Sequence, residues 1–69
     1  MIRYANRTVR IGGKLDDLDS KLDNELNYIY SDFDVVNMTI TPIIENHEGF
    51  RIVVEYWIVY VYKYEENEC

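Results

Sequence analysis

Phe50-Arg-Ile-Val-Val-Glu-Tyr-Trp-Ile-Val-Tyr-Val-Tyr-Lys-Tyr64 is the stretch that decides how this chain folds. Successive side chains of a strand point to opposite faces. At period 2, one face carries Phe50, Ile52, Val54, Tyr56, Ile58, Tyr60, Tyr62 and Tyr64. The other carries Arg51, Val53, Glu55, Trp57, Val59, Val61 and Lys63. Both faces are apolar in the middle, so both call for cover. A chain of 69 residues with one helix-forming stretch covers only one of them. That mismatch predicts self-association or a partner. Length adds to it, because residues 50–64 at about 3.3 Å each span about 50 Å, more than a compact domain of this size holds. The end from about Tyr60 onward is therefore expected to curl, fray or pair with a symmetry mate.

Working back along the chain, Glu45-Asn-His-Glu-Gly49 reads as a turn, with Gly49 available for positive φ. Before it, Val36, Met38, Ile40 and Pro42 alternate with Asn37, Thr39 and Thr41, which predicts a strand over about 34–45 and a hairpin. Pro42 has no N–H to donate, so it belongs at an edge, at a bulge or near a strand end. Leu15, Leu18, Leu22, Leu26 and Ile29 recur at helical spacing, and neither Gly nor Pro interrupts the run. A one-sided helix is expected over about 14–30, with Asp16, Asp17 and Asp19 near its positive end. Gly12-Gly13 breaks the chain ahead of it. Thr8-Val-Arg-Ile11 alternates as a strand over about 7–11, while Ile2 and Tyr4 have the opposite parity, as a second piece or a bulge near Asn6 would give. Residues 65–69 read as an acidic tail.

The order β-α-β-β defines an α+β fold: one amphipathic helix packed on a three-stranded mixed sheet with a long C-terminal strand. The crossover rule makes the first two strands parallel and the hairpin antiparallel. The helix is expected over Ile52, Val54, Tyr56 and Ile58, leaving Trp57, Val59 and Val61 outward; the reverse choice is the alternative.

Bulk properties narrow the class. A single domain this small ordinarily leans on disulfides, a metal or oligomerisation. Cys69 is the only cysteine, and His47 has Glu45 and Glu48 nearby but no second His or Cys at motif distance, which leaves oligomerisation. Net charge −6 argues against nucleic-acid binding by phosphate neutralisation. Met1–Arg7 lacks the apolar core of a signal peptide, and no run reaches membrane-spanning length, so a cytoplasmic protein without membrane partners is expected. No glycine-rich phosphate loop and no Ser/His/Asp or Cys/His set can be assembled, so neither an enzyme nor a cofactor is expected.

Aromatic residues are the one suggestive enrichment. Tyr56, Trp57, Tyr60, Tyr62 and Tyr64 lie close together, and such residues serve interfaces and stack on ring systems, though strand propensity also favours them. Arg7, Arg10 and Arg51 are cations able to meet anionic groups. The candidate ligand-binding or interface residues are thus Trp57, Tyr56, Tyr60, Tyr62, Arg51, Arg7 and Arg10.

The element order and the strand residue Trp57 resemble dodecin, a small flavin-storing oligomer. A longer stretch, Lys14 to Lys63, is similar to the short sporulation proteins of Firmicutes. That likeness rests on a charged helix with Glu25-Leu-Asn27, a strand Val36–Ile40, and a closing Val59-Tyr-Val-Tyr-Lys63. The Asn- and Tyr-rich acidic composition resembles small accessory proteins of Firmicutes phages. Among these are anti-defence proteins that block a host protein or, as oligomers, sequester a nucleotide signal. These resemblances imply a non-enzymatic homo-oligomer in the host cytoplasm, holding a nucleotide-like ligand or a host protein. The alternative they imply is a structural or regulatory interaction module with no small ligand.

Overall fold

The computed structural model describes residues 1–13 and 17–67. The elements run β1 (Ile2–Gly12), α1 (Leu18–Asp32), β2 (Asp34–His47) and β3 (Phe50–Glu65). Lys14, Leu15 and Asp16, expected to open the helix, lie outside the described residues, as do Glu68 and Cys69 of the tail. The architecture is α+β, one helix on one face of a three-stranded sheet.

The sheet is antiparallel throughout, with order β1-β3-β2, where a mixed sheet was expected. β1 and β2 do run in the same direction, but β3 lies between them and pairs with both. The reason is chemical. β3 is apolar on both faces and carries no proline, so the centre, where both its edges are paired from Glu55 to Lys63, suits it. Edge positions tolerate the arginines of β1 and Pro42 of β2.

The first strand is longer than the 7–11 segment. It runs unbroken from Ile2 to Gly12 with no bulge near Asn6, so Ile2 and Tyr4 simply face the side opposite Val9 and Ile11. The expected free end of the third strand is also absent. Tyr60–Glu65 are paired with Arg7–Ile2 on one side, and as far as Lys63 with β2 on the other. β3 stays extended, and the molecule lengthens to accommodate it. Its extents are 58 × 17 × 16 Å and its radius of gyration is 15.4 Å, against about 11 Å for a compact chain of this length.

The helix stripe meets the even-numbered residues of β3. Ile58 and Tyr60 are buried beneath it with Leu18, Ile29 and Ile11, and Leu22, Leu26, Tyr56 and Tyr62 pack around them. The stripe continues to Phe33, four residues beyond Ile29, whose N–H closes the helix on the Ile29 carbonyl at 2.9 Å. Ile52 and Val54 are not under the helix as expected. A register shift opposite Ile43/Ile44 inserts Val54, and Val53 takes the core-facing place. A second shift inserts Val36, so Val35 rather than Val36 joins Met38 at the core. The hairpin turn is tighter than the sequence indicates. His47 pairs with Phe50, and Glu48 (φ 52°) and Gly49 (φ 86°) form the two-residue loop with positive φ at both positions. The C-terminal acids are partly tied down, since Glu65 takes the N-terminal ammonium at 3.0 Å and Glu66 pairs with Arg3.

Candidate functional site

The site is the sheet face that the helix leaves open. Residues directly opposite in paired strands share a face, so the register builds it row by row. Trp57 lies between Arg10 and Thr41, Val59 between Thr8 and Thr39, and Val61 between Asn6 and Asn37. The result is an apolar stripe one strand wide, bordered on both sides by hydroxyl, amide and guanidinium groups. Trp57 is 37% exposed and Val59 43% exposed, whereas Ile58 between them is fully buried on the other face. Strand alternation alone produces this contrast.

Arg10 is the charged feature of the face. Its guanidinium carbon stands 5.5 Å from the centre of the Trp57 ring, and its Nε pairs with a carboxylate oxygen of Glu55. Such a cation over an indole is stabilising and holds the ring in one orientation. Pairing with Glu55 leaves the guanidinium less free for an anion. Arg10 also borders a shallow open depression of about 320 Å³ with Gly12, Lys21, Asn24 and Glu25, where Lys21 donates to the Gly12 carbonyl at 3.3 Å.

The other candidate residues are placed elsewhere. Tyr60 lies at the centre of the core, and Tyr56 and Tyr62 flank it on the helix side. Burial pushes the Tyr60 hydroxyl above its ordinary pKa of 10.0, a rise that nearby Arg7 partly opposes. Arg7 is also on the helix side, 5.4 Å from the Phe33 ring. Arg51 sits near the hairpin tip, opposite Asn46. Of the candidates, therefore, only Trp57 and Arg10 meet on the open face, while Tyr56, Tyr60, Tyr62 and Arg7 gather on the helix side. Thr8, Thr39 and Thr41 escape notice in the sequence because their place beside β3 depends on the strand order. Phe33 escapes notice as part of the helix stripe, although it follows Ile29 at a spacing of four that would have revealed it. It joins Tyr28, Tyr60 and Tyr62 in an aromatic cluster with ring centroids 4.7–6.5 Å from Phe33.

Among the described residues no group of three or more His, Cys, Asp or Glu could hold a metal ion, and no helix is long and apolar enough to cross a membrane. Comparison with protein-family models, with curated proteins and with solved structures returns no match.

Proposed function

We propose that this is a non-enzymatic binding protein that works as a homo-oligomer and docks a protein partner on the open sheet face. The observation that carries the reading is the apolar row Trp57, Val59 and Val61 inside a polar border. An apolar centre with a hydrogen-bonding rim is the anatomy of a protein interface, and tryptophan and arginine are the side chains that most often anchor one. In an anti-defence role of the phage type, the partner would be a host protein. In a structural or regulatory role, it would be a component of the same cell.

The test is capture from a Firmicutes lysate with immobilised wild type, Val59→Asp and, as a control on the helix, Tyr30→Asp. A protein retained by wild type and Tyr30→Asp but not by Val59→Asp supports docking on this face. Equal retention by all three would remove it.

A second reading, sequestration of a nucleotide-like ligand, has one observation in its favour: the Arg10 guanidinium beside the exposed Trp57 ring. Against it, Arg7 and Arg51 do not converge on that pair. Native mass spectrometry of freshly purified protein decides this reading. Extra non-protein mass that disappears with Trp57→Ala would support it, and a bare protein mass would end it.

A further inference from the structure

Beyond Gly12 the sheet narrows to two strands. β1 stops pairing at Glu55, while β3 continues back to Phe50 with, among the described residues, only β2 beside it. Among the described residues nothing pairs with the other edge of Phe50–Val54. About half the backbone N–H and C=O groups of that segment therefore point outward, as they do along any sheet edge. Phe50 is 73% exposed at the tip, and Ile52, Val53 and Val54 are half-buried behind it.

The free edges of this sheet differ in how they are protected. The outer edge of β1 carries Arg3, Arg7 and Arg10. The outer edge of β2 contains Pro42 together with Asp34, Asn37 and Glu45. Charged residues and proline are the devices that keep a strand edge from recruiting another strand. Phe50–Val54 has no proline and a single charge, Arg51, and its one irregularity is the bulge at Val54, at the end nearest the body. It is the least guarded edge.

We infer that a second copy of this chain pairs with it, Phe50–Val54 against Phe50–Val54, antiparallel about a two-fold axis near Ile52. The segment complements itself. Antiparallel pairing about Ile52 sets Phe50 against Val54 and Arg51 against Val53, so the apolar ends Phe50 and Val54 meet and the two arginines are not opposed. A two-fold contact of this kind closes after two copies and does not propagate. Two three-stranded sheets then join through their arms into one continuous sheet. The open Trp57 faces stay free for partners. The contact is small beside the roughly 1,600 Å² of a standard interface, so the dimer depends on protein concentration. The inference rests on the self-association half of the proposed function and is independent of what docks at Trp57.

The experiment is sedimentation velocity of the full chain over a wide concentration range, together with residue-resolved amide hydrogen exchange at the two extremes. A monomer–dimer equilibrium is expected, with amide protection rising with concentration within Phe50–Val54 and not along β1. In Ile52→Lys, two like charges meet at the axis, and dimerisation weakens by roughly a hundredfold. A monomer at every concentration would overturn the inference. So would a dimer whose protection appears along Trp57–Val61 and which Val59→Asp abolishes while Ile52→Lys does not. Because the exchange is measured on the unmodified protein, the outcome does not depend on the folding of a variant. A monomer that still captures its partner through Val59 would sink the edge contact and leave the open-face reading standing.

Discussion

Tyr60 and Trp57 sit three positions apart on one strand and belong to different parts of the molecule. Tyr60 is 1% exposed, enclosed by the helix and by the Phe33 and Tyr62 rings. Trp57 is 37% exposed on a bare sheet face, held by Arg10. Both are large aromatics in a strand-forming run, and nothing in their identities separates them. The difference comes from parity, which gives one face to the helix and the other to solvent. In a two-layer fold this small, one face of the sheet supplies the stability and the other is left exposed.

The sharpest way to break that comparison is to truncate both rings. Tyr60→Ala opens a cavity in the core and is expected to cost about 3–5 kcal/mol. For a domain of this length that is a large part of the total stability, so urea unfolding should show a protein barely folded at room temperature. Trp57→Ala removes a half-covered ring and its cation–π contact, with an expected loss of about 1 kcal/mol. It should instead lower partner capture. Equal losses from the two truncations would mean that the open face is covered in the folded protein.

A finer probe keeps the ring and removes only the hydroxyl. The folded-state pKa of Tyr60 is raised above 10.0 by burial, so the folded protein binds this proton more tightly than the unfolded chain. Its contribution is fully present at neutral pH and up to about pH 10. It is lost as pH rises through the folded-state value, because the unfolded chain then holds fewer protons and stability falls with pH. Tyr60→Phe should flatten the alkaline decline of the urea midpoint. An identical decline in wild type and Tyr60→Phe would place the alkaline transition in another group.

How far the sequence revealed this arrangement depends on which signal is asked. The helix was legible because Leu18, Leu22, Leu26 and Ile29 recur at its period, and the strands because apolar and polar residues alternate. The face that the helix covers followed for Tyr56 and Ile58. Strand order did not follow, because alternation is the same for a central strand and an edge strand. The parallel-crossover rule assumes that the connected strands are neighbours, and here β3 lies between them. Both register shifts fall at Val-Val pairs, Val35-Val36 and Val53-Val54. Either valine of such a pair can face the core, so the pattern conceals which one does. The open row at Trp57 was visible in outline. Its threonine and asparagine borders were not, since they come from strands whose placement had first to be known.

The smallest expected effect tests a third region, the two-stranded arm, against the body it grows from. Glu48 holds a left-handed backbone conformation at φ 52° in the hairpin turn, a region that favours glycine and asparagine over other residues. Its carboxylate makes no hydrogen bond or ion pair among the described residues that would compensate. Glu48→Asn should therefore stabilise the turn by about 0.5 kcal/mol. Where that gain appears matters more than its size. If the arm unfolds together with the helix-covered sheet, the global urea midpoint rises. If the arm opens on its own, as a ribbon with one unpaired edge is prone to do, the midpoint stays fixed and only amide protection around Ile44–His47 and Phe50–Val53 increases. A fixed midpoint would make the arm an element ordered by its contacts, and raising the protein concentration should then couple it to the body, because a second copy pairing along Phe50–Val54 supplies the edge that β1 leaves open.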